Sequence, residues 1–112
     1  MAGLGPVTFE GVYGEQYLFQ IYTLDTTFKP LGAVYAILDR HPNPQGGGYL
    51  ATPIYFGQTG DLSARFEDHH RQLCFARNGA NCIGIHLDGD ETSRRAKETD
   101  LIRRWKPTCN QQ

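Results

Sequence analysis

Two short apolar runs, joined by a segment rich in proline and glycine, lie at the centre of the chain in the stretch AVYAILDRHPNPQGGGYLATPIYFGQTG, residues 33–60. The runs 33–38 and 53–57 have the length and composition of buried strands, because both are short, apolar and rich in aromatic or β-branched residues. Residues 40–48 hold two prolines and three glycines. That composition sustains neither a helix nor a strand, so we expect a loop there.

The residues before this stretch predict a β-hairpin. Residues 16–24 show a period of two among strand-forming residues, and residues 7–13 supply a partner strand. Gly14 and Glu15 have the chemistry of the turn between them.

The residues after the stretch predict two helices and one more strand. The first helix is expected to begin at Thr59 or Asp61 and to end near Arg77, and residues 82–87 form an apolar strand. Residues 88–90 cap a second helix that ends near residue 106. This order predicts a single α+β domain with a small antiparallel or mixed sheet and two helices packed on it.

Composition and charge narrow the class of protein. The chain has 112 residues, 39% of them hydrophobic, and a net charge of −1, which suits one globular domain without a global positive field. Residues 92–112 nevertheless hold six basic and two acidic side chains. A phosphate-bearing partner on that face alone and an ordinary solvated helix surface both remain open.

Cysteine usage and the N-terminus bear on location. Three cysteines, an odd number, favour a reducing compartment over a disulfide framework. The first six residues lack the basic and apolar regions of a secretory signal, and no apolar run approaches the ~20 residues of a membrane span. We therefore expect a cytoplasmic protein, nucleoid-associated or nuclear, with no membrane partner.

Glu98 is the most unusual residue of the second helix. At 100° per residue it falls within the apolar stripe formed by Leu101, Ile102 and Trp105. A carboxylate in such a stripe is costly unless it is paired or holds a metal ion. Pairing with a buried arginine or a tyrosine hydroxyl remains the alternative.

Other polar residues are predicted to converge with Glu98 on one side of the sheet. Arg65 and His69 lie four residues apart on the predicted first helix, on the same stripe as its apolar residues. Tyr35 and Tyr55 come from the two central strands. Phenols, a guanidinium, an imidazole and a carboxylate together suit phosphodiester hydrolysis. A zinc set is a weaker alternative, since the cysteines and histidines lack the spacing of paired ligands; its members would be His69, His70, Cys74, Cys82 and His86.

These residues give the chain a resemblance to the GIY-YIG nuclease superfamily. Residues 33–35 and 55–57 stand where that family has its two tripeptides, and an arginine follows the second tyrosine by ten positions. Glu98 followed by Leu-Ile, and then Pro107 followed by Asn110, resembles the family's closing pattern. The resemblance covers residues 33–110 and implies a three-stranded antiparallel sheet flanked by helices, as the core at 32–112, with residues 1–31 as an added β-hairpin.

The resemblance also implies an activity, which is metal-dependent cleavage of DNA. Tyr35 would take or relay the proton of the attacking water, and Tyr55 would share that network. Arg65 would stabilise the charge on the phosphate, and Glu98 would hold one Mg²⁺ or Mn²⁺. The resemblance also implies that His69 and Asn110 complete the catalytic group, with Asn110 bracing the site. The residues implied to contact the substrate are Gly57, Thr59, Arg94 and Arg95.

Some features depart from the family pattern and keep two alternatives open. Ala33 replaces the first glycine, and the two tyrosines are 20 positions apart, about twice the family's gap. One alternative is a catalytically silent module that binds nucleic acid or protein. The other is an enzyme that relies on a protein partner or on self-association to reach DNA.

Overall fold

The fold is an antiparallel sheet with two helices, seen in a computed structural model that describes residues 3–64 and 71–111. These residues form five strands in the order β1-β2-β5-β3-β4, which confirms the predicted α+β class. The strands and helices have the following bounds: β1 Pro6–Glu10, β2 Gln16–Thr23, β3 Ala33–Pro42, β4 Tyr49–Thr59, α1 Gln72–Arg77, β5 Cys82–Leu87 and α2 Glu91–Trp105, with 3₁₀ turns at Leu62–Ala64 and Thr108–Asn110.

The N-terminal hairpin forms as predicted, and it belongs to the main sheet. β1 pairs with β2, and Gly14 takes a φ of +86° in the turn. β2 then pairs with β5, with Gln20 beside Ile85. The sheet therefore has five strands rather than three, because the exposed backbone edge of β5 is covered by β2.

The segment between the two tyrosine strands is more regular than predicted. β3 continues through Pro42, and β4 begins at Tyr49, so the expectation of a loop at residues 40–42 is wrong. The Arg40 guanidinium lies 3.9 Å from the centroid of the Tyr49 ring, and this contact supports the extended pairing. The turn itself is short, and Gly48 takes a φ of +77° within it.

The sheet curls so that its two edge strands approach each other. Phe9 of β1 and Phe56 of β4 have ring centroids 5.5 Å apart, although three strands lie between them in the sheet. α2 spans the remaining gap through the buried Leu101 and through Trp105, whose indole N–H donates to the Glu10 carbonyl at 2.9 Å. The inner core lies between this curled sheet and α2, as predicted for an amphipathic second helix. Asp90 caps that helix by accepting from the Ser93 N–H at 2.8 Å.

The outer face of the sheet carries a second core under α1 and the last 3₁₀ turn. Cys74 of α1 and Cys109 of the turn form a disulfide, so the expectation that the cysteines form no disulfide is contradicted. An odd number of cysteines does not exclude a disulfide: two of the three pair, which leaves the buried Cys82 free.

The predicted first helix is only partly described. A 3₁₀ turn occupies Leu62–Ala64, and α1 begins at Gln72. Arg65 and His69 lie outside the described residues. The prediction that they share a face therefore concerns residues that the structure does not describe. Within residues 3–64 and 71–111, no helix is long and apolar enough to cross a membrane.

Candidate active site

Tyr35 lies across Gly57, its partner on the neighbouring strand. The two residues are in register between β3 and β4. A β-carbon at Gly57 would lie 2.5 Å from both the ring Cζ and the hydroxyl oxygen of Tyr35, closer than a real side chain could sit. Gly57 therefore lets the Tyr35 ring cross β4, which gives the predicted substrate-binding residue Gly57 a positioning role.

Tyr55 lies diagonally opposite Tyr35 in the same pair of strands, and an irregularity follows directly beyond it. Ile37 pairs with Tyr55, but Leu38 pairs with Pro53, so Ile54 is an additional residue in β4. Such a bulge turns neighbouring side chains and is common beside functional sites. The Tyr35 and Tyr55 rings lie two positions apart in the register, on one face of the sheet, with a centroid distance of 6.1 Å. The structure therefore brings the two phenol rings close together.

The surroundings of Tyr55 keep its hydroxyl protonated. Burial raises the pKa of Tyr55 above its ordinary value of 10.0, and the negative charge of Glu98 raises this pKa further. Arg71 and Tyr35 act in the opposite direction but do not cancel the rise. The Arg71 Cζ lies 6.0 Å from the Tyr55 ring centroid. Sequence reasoning missed Arg71, and no local pattern singles it out.

Glu98 lies where the helical period predicted, on the half-buried side of α2. Burial raises the pKa of the Glu98 carboxyl above its ordinary value, with Arg95 acting against the rise. Among residues 3–64 and 71–111, Glu98 accepts no hydrogen bond and forms no ion pair within 4.0 Å, so neither alternative pairing partner is found there. No group of three or more His, Cys, Asp or Glu residues in those ranges could hold a metal ion.

Asn110 braces the strand that carries Tyr55. Its Oδ1 accepts from the Phe56 N–H at 2.9 Å, and its Nδ2 donates to the Phe56 carbonyl at 3.0 Å. β4 is an edge strand, so these bonds satisfy backbone groups that no further strand pairs. The bracing role that the resemblance implied for Asn110 agrees with this geometry. Both polar atoms of the side chain are engaged by the backbone.

Arg94 does not lie where the sequence analysis placed it. Its side chain is only 6% exposed, and its guanidinium donates to the Gln58 Oε1 at 3.0 Å and to the Asp88 carbonyl at 3.1 Å. The expectation that Arg94 contacts substrate from an exposed helix face is wrong. At 100° per residue Arg94 lies only about 40° from Glu98 on α2, within the apolar stripe, and this spacing was the signal of its burial.

Arg95 and Thr59 are the other predicted substrate contacts. Arg95 is exposed and pairs with Glu91 one turn earlier, at 2.9 Å. The Thr59 hydroxyl accepts from the Asp61 N–H at 3.1 Å and thereby holds the turn that follows β4. Arg95 is therefore still open to a partner, whereas Thr59 has a structural role.

The described members of the zinc set do not come together. Cys74 is in the disulfide on the outer face, and Cys82 is buried in the inner core. His86 has its Nδ1 at 2.9 Å from the Leu18 carbonyl and its Nε2 at 2.9 Å from the Lys97 Nζ. Both ring nitrogens of His86 are thus occupied by protein groups.

Comparison with protein-family models, with curated proteins and with solved structures finds no match for this chain.

Proposed function

We propose that this protein is a metal-dependent endonuclease that hydrolyses DNA phosphodiesters through a site of the GIY-YIG type. The observation that carries the proposal is the close pair of Tyr35 and Tyr55, whose ring centroids are 6.1 Å apart, with the charge of Glu98 acting on Tyr55. A half-buried carboxylate without a hydrogen-bond or ion-pair partner among the described residues is costly for stability alone. Their arrangement supports a site built for proton transfer and charge stabilisation.

The tyrosine pair supplies the proton chemistry. Tyr55 remains protonated because its pKa is raised, so its hydroxyl is a hydrogen-bond donor at neutral pH. Tyr35 lies beside Tyr55, with ring centroids 6.1 Å apart, and relays the proton of the attacking water. Gly57 and the regular pairing of β3 with β4 hold both rings on paired strands before substrate arrives.

The chemistry of Glu98 fits a magnesium ion. Mg²⁺ is usually held by one or two carboxylates, with water molecules and substrate phosphate oxygens completing its shell. Glu98 is half-buried and, within residues 3–64 and 71–111, has no hydrogen-bond or ion-pair partner, so its oxygens are available as ligands. A bound Mg²⁺ or Mn²⁺ supplies Lewis-acid stabilisation of the charge on the phosphate.

In this proposal, arginine side chains supply the positive charge that offsets the negative charge of the phosphate. Arg71 lies beside the Tyr55 ring and provides a cation at the site. Arg65 and His69 keep the roles that the family resemblance implies, stabilising the phosphate and completing the catalytic group. DNA is the proposed partner.

The direct test is cleavage of labelled duplex, nicked, flapped and branched DNA with Mg²⁺ or Mn²⁺. We expect Tyr35→Phe to slow cleavage by roughly 10²–10⁴-fold, the range of a lost acid–base group, and Glu98→Gln to abolish it. The matched controls are the exposed residues Tyr13 and Glu15, as Tyr13→Phe and Glu15→Gln. Cleavage of none of the substrates, with DNA binding retained, would instead identify a catalytically silent module.

A further inference from the structure

A second concave site lies on the outer face of the sheet, next to the tyrosine pair. It is a cavity of about 440 Å³ formed by β2, β5 and the chain that connects β2 to β3. That volume is within the range of small-molecule sites. Its lining combines polar groups with an apolar and aromatic set that consists of Tyr22, Phe28, Leu31, Leu62, Ile85 and Leu87.

The connecting loop holds this cavity open by its own hydrogen bonds. The Thr23 hydroxyl donates to Asp25 Oδ1 at 2.6 Å, and the Thr26 N–H donates to the Thr23 carbonyl at 3.2 Å. Further along, the Leu62 N–H donates to the Leu31 carbonyl at 2.9 Å. The loop is therefore tied at both ends, and the cavity is preformed.

Aromatic and aliphatic surfaces in the cavity suit a flat apolar ligand. The rings of Tyr22 and Phe28 meet edge to face at a centroid distance of 5.3 Å. Leu31 and Leu87 remain 45% and 60% exposed on the same face. Apolar area of this kind, grouped in a concavity, marks a binding site more often than isolated exposed leucines do.

One carboxylate and one ammonium group line the cavity, and the ammonium group is available to an anionic part of that ligand. Asp25 is engaged by the Thr23 hydroxyl. Lys29, in contrast, forms no ion pair within residues 3–64 and 71–111. The Gln20 amide and the Thr27 hydroxyl add hydrogen-bonding groups. A heteroaromatic base with a phosphate matches this combination of aromatic wall, amide and cation.

The cavity is close to the proposed active site. Ile85, which lines it, is in register with Tyr35 between β5 and β3. Leu62 also lines it and belongs to the same outer core as Tyr35. Neighbouring strands are about 4.8 Å apart, so the floor of the cavity begins one strand away from the strand that carries Tyr35.

We propose that this cavity binds a nucleotide, with the base against Tyr22 and Phe28 and the phosphate at Lys29. The proposal rests on the nuclease function above and deepens it: the nucleotide is one flanking the cleaved bond. Such a pocket would select strands whose bases are unpaired, because a base within a duplex cannot enter it.

The test is a titration without metal, observed by the methyl resonances of isotope-labelled isoleucine and leucine. Deoxyadenosine 5′-monophosphate should shift Ile85, Leu31 and Leu87, and should bind about fivefold more tightly than deoxyadenosine. Lys29→Gln should remove that preference, because an exposed ion pair is worth up to about 1 kcal/mol. Lys106→Gln, a change remote from the cavity, should leave the preference for the monophosphate unchanged.

A second variant tests the cavity itself. Leu87→Trp places a large side chain over the opening and should weaken nucleotide binding at least tenfold, whereas Leu50→Trp, an exposed leucine elsewhere, should not. Equal binding of deoxyadenosine monophosphate and octanoate would overturn the nucleotide assignment, and so would an absence of shifts at the three methyl groups. An unpaired oligonucleotide, added next, should shift the same groups.

The outcomes separate this proposal from the nuclease function. Nucleotide binding in a protein that cleaves no DNA would support the pocket and refute the nuclease. DNA cleavage that Leu87→Trp leaves unchanged on unpaired substrates would refute the pocket and support the nuclease.

Discussion

The Tyr35 hydroxyl oxygen lies only 2.5 Å from the point where a β-carbon would stand on Gly57. The pair occupies directly opposite positions on β3 and β4, so neither backbone can move away without breaking the strand pairing. The glycine is thus a steric condition for the position of the tyrosine.

Gly57→Ala should therefore displace Tyr35. We expect a loss of about 1–3 kcal/mol in the free energy of unfolding, typical of overpacking, measured by urea denaturation. DNA cleavage should fall as well, because the Tyr35 ring is displaced from Tyr55. Gly47→Ala is the control, since nothing lies within 4 Å of its added carbon; equal effects of the two changes would contradict the steric argument.

Arg94 and Arg95 are adjacent in sequence but should respond differently to substitution. Arg94→Ala removes a buried guanidinium and leaves the Gln58 amide and the Asp88 carbonyl without their donor. We expect this change to cost about 1.5–3 kcal/mol or more in the free energy of unfolding. Arg95→Ala removes an exposed ion pair and should cost less than about 0.5 kcal/mol. DNA binding at several salt concentrations should show a smaller slope for Arg95→Ala, by up to about 1, if Arg95 contacts phosphate.

Much of this fold could be predicted from local patterns. The period of two in β2, the apolar runs of β3 to β5 and the Asp90 cap are properties of short segments, so the sequence alone identifies them. The stripe that contains Glu98 is likewise a property of one helix.

The remaining features depend on contacts between distant segments. The joining of β2 to β5 and the pairing of Cys74 with Cys109 need the folded chain, because neither has a local signature. Arg94 differs from its prediction for another reason: the charge of an arginine predicts exposure, whereas its place in the apolar stripe predicts burial. A buried arginine needs partners, and Gln58 and Asp88 are 36 and 6 residues away.

The Cys74–Cys109 disulfide should stabilise the fold by reducing the conformational entropy of the unfolded chain. It closes a segment with a sequence separation of 35, for which chain entropy predicts about 3–4 kcal/mol. Dithiothreitol should lower the free energy of unfolding by that amount. The double variant Cys74→Ser, Cys109→Ser should show the lower stability and no response to the reductant. Equal stability of oxidised and reduced protein would contradict the prediction.

Two asparagines offer a matched pair for testing the bracing of β4. Asn110 accepts from and donates to the Phe56 backbone, and Asn81 does the same with Arg40 at 2.8 and 2.9 Å. Replacing either by alanine leaves two backbone groups without their partner, so each should cost about 1–3 kcal/mol in the free energy of unfolding.

Only the Asn110 site is beside the tyrosine pair. Asn110→Ala should therefore reduce DNA cleavage well beyond its effect on stability, whereas Asn81→Ala should leave cleavage near the wild-type rate at a temperature where both variants are folded. Similar cleavage by the two variants would mean that Asn110 braces the fold but not the site.

The stability that Glu98 contributes should decrease as the pH rises, which is the opposite of the behaviour of a carboxylate whose pKa is lowered by folding. Burial raises the pKa of Glu98 in the folded protein above its ordinary value of 4.5, so the folded state favours the protonated carboxyl. That contribution is fully present below pH 4.5 and is lost as the pH rises through the raised pKa. Glu98→Gln cannot ionise, so without metal it should become progressively more stable than the wild type as the pH increases from 4.5 towards neutrality.

Magnesium should reverse this difference. An ion held by ionised Glu98 stabilises the folded wild type in proportion to the logarithm of its concentration over the dissociation constant. We therefore expect Mg²⁺ to raise the Tm of the wild type at neutral pH and to leave that of Glu98→Gln unchanged. Glu15→Gln, altered at an exposed position in the hairpin turn, should respond to Mg²⁺ as the wild type does. An equal Mg²⁺ response in the wild type and in Glu98→Gln would remove Glu98 as the metal ligand, because the ion would then be bound elsewhere.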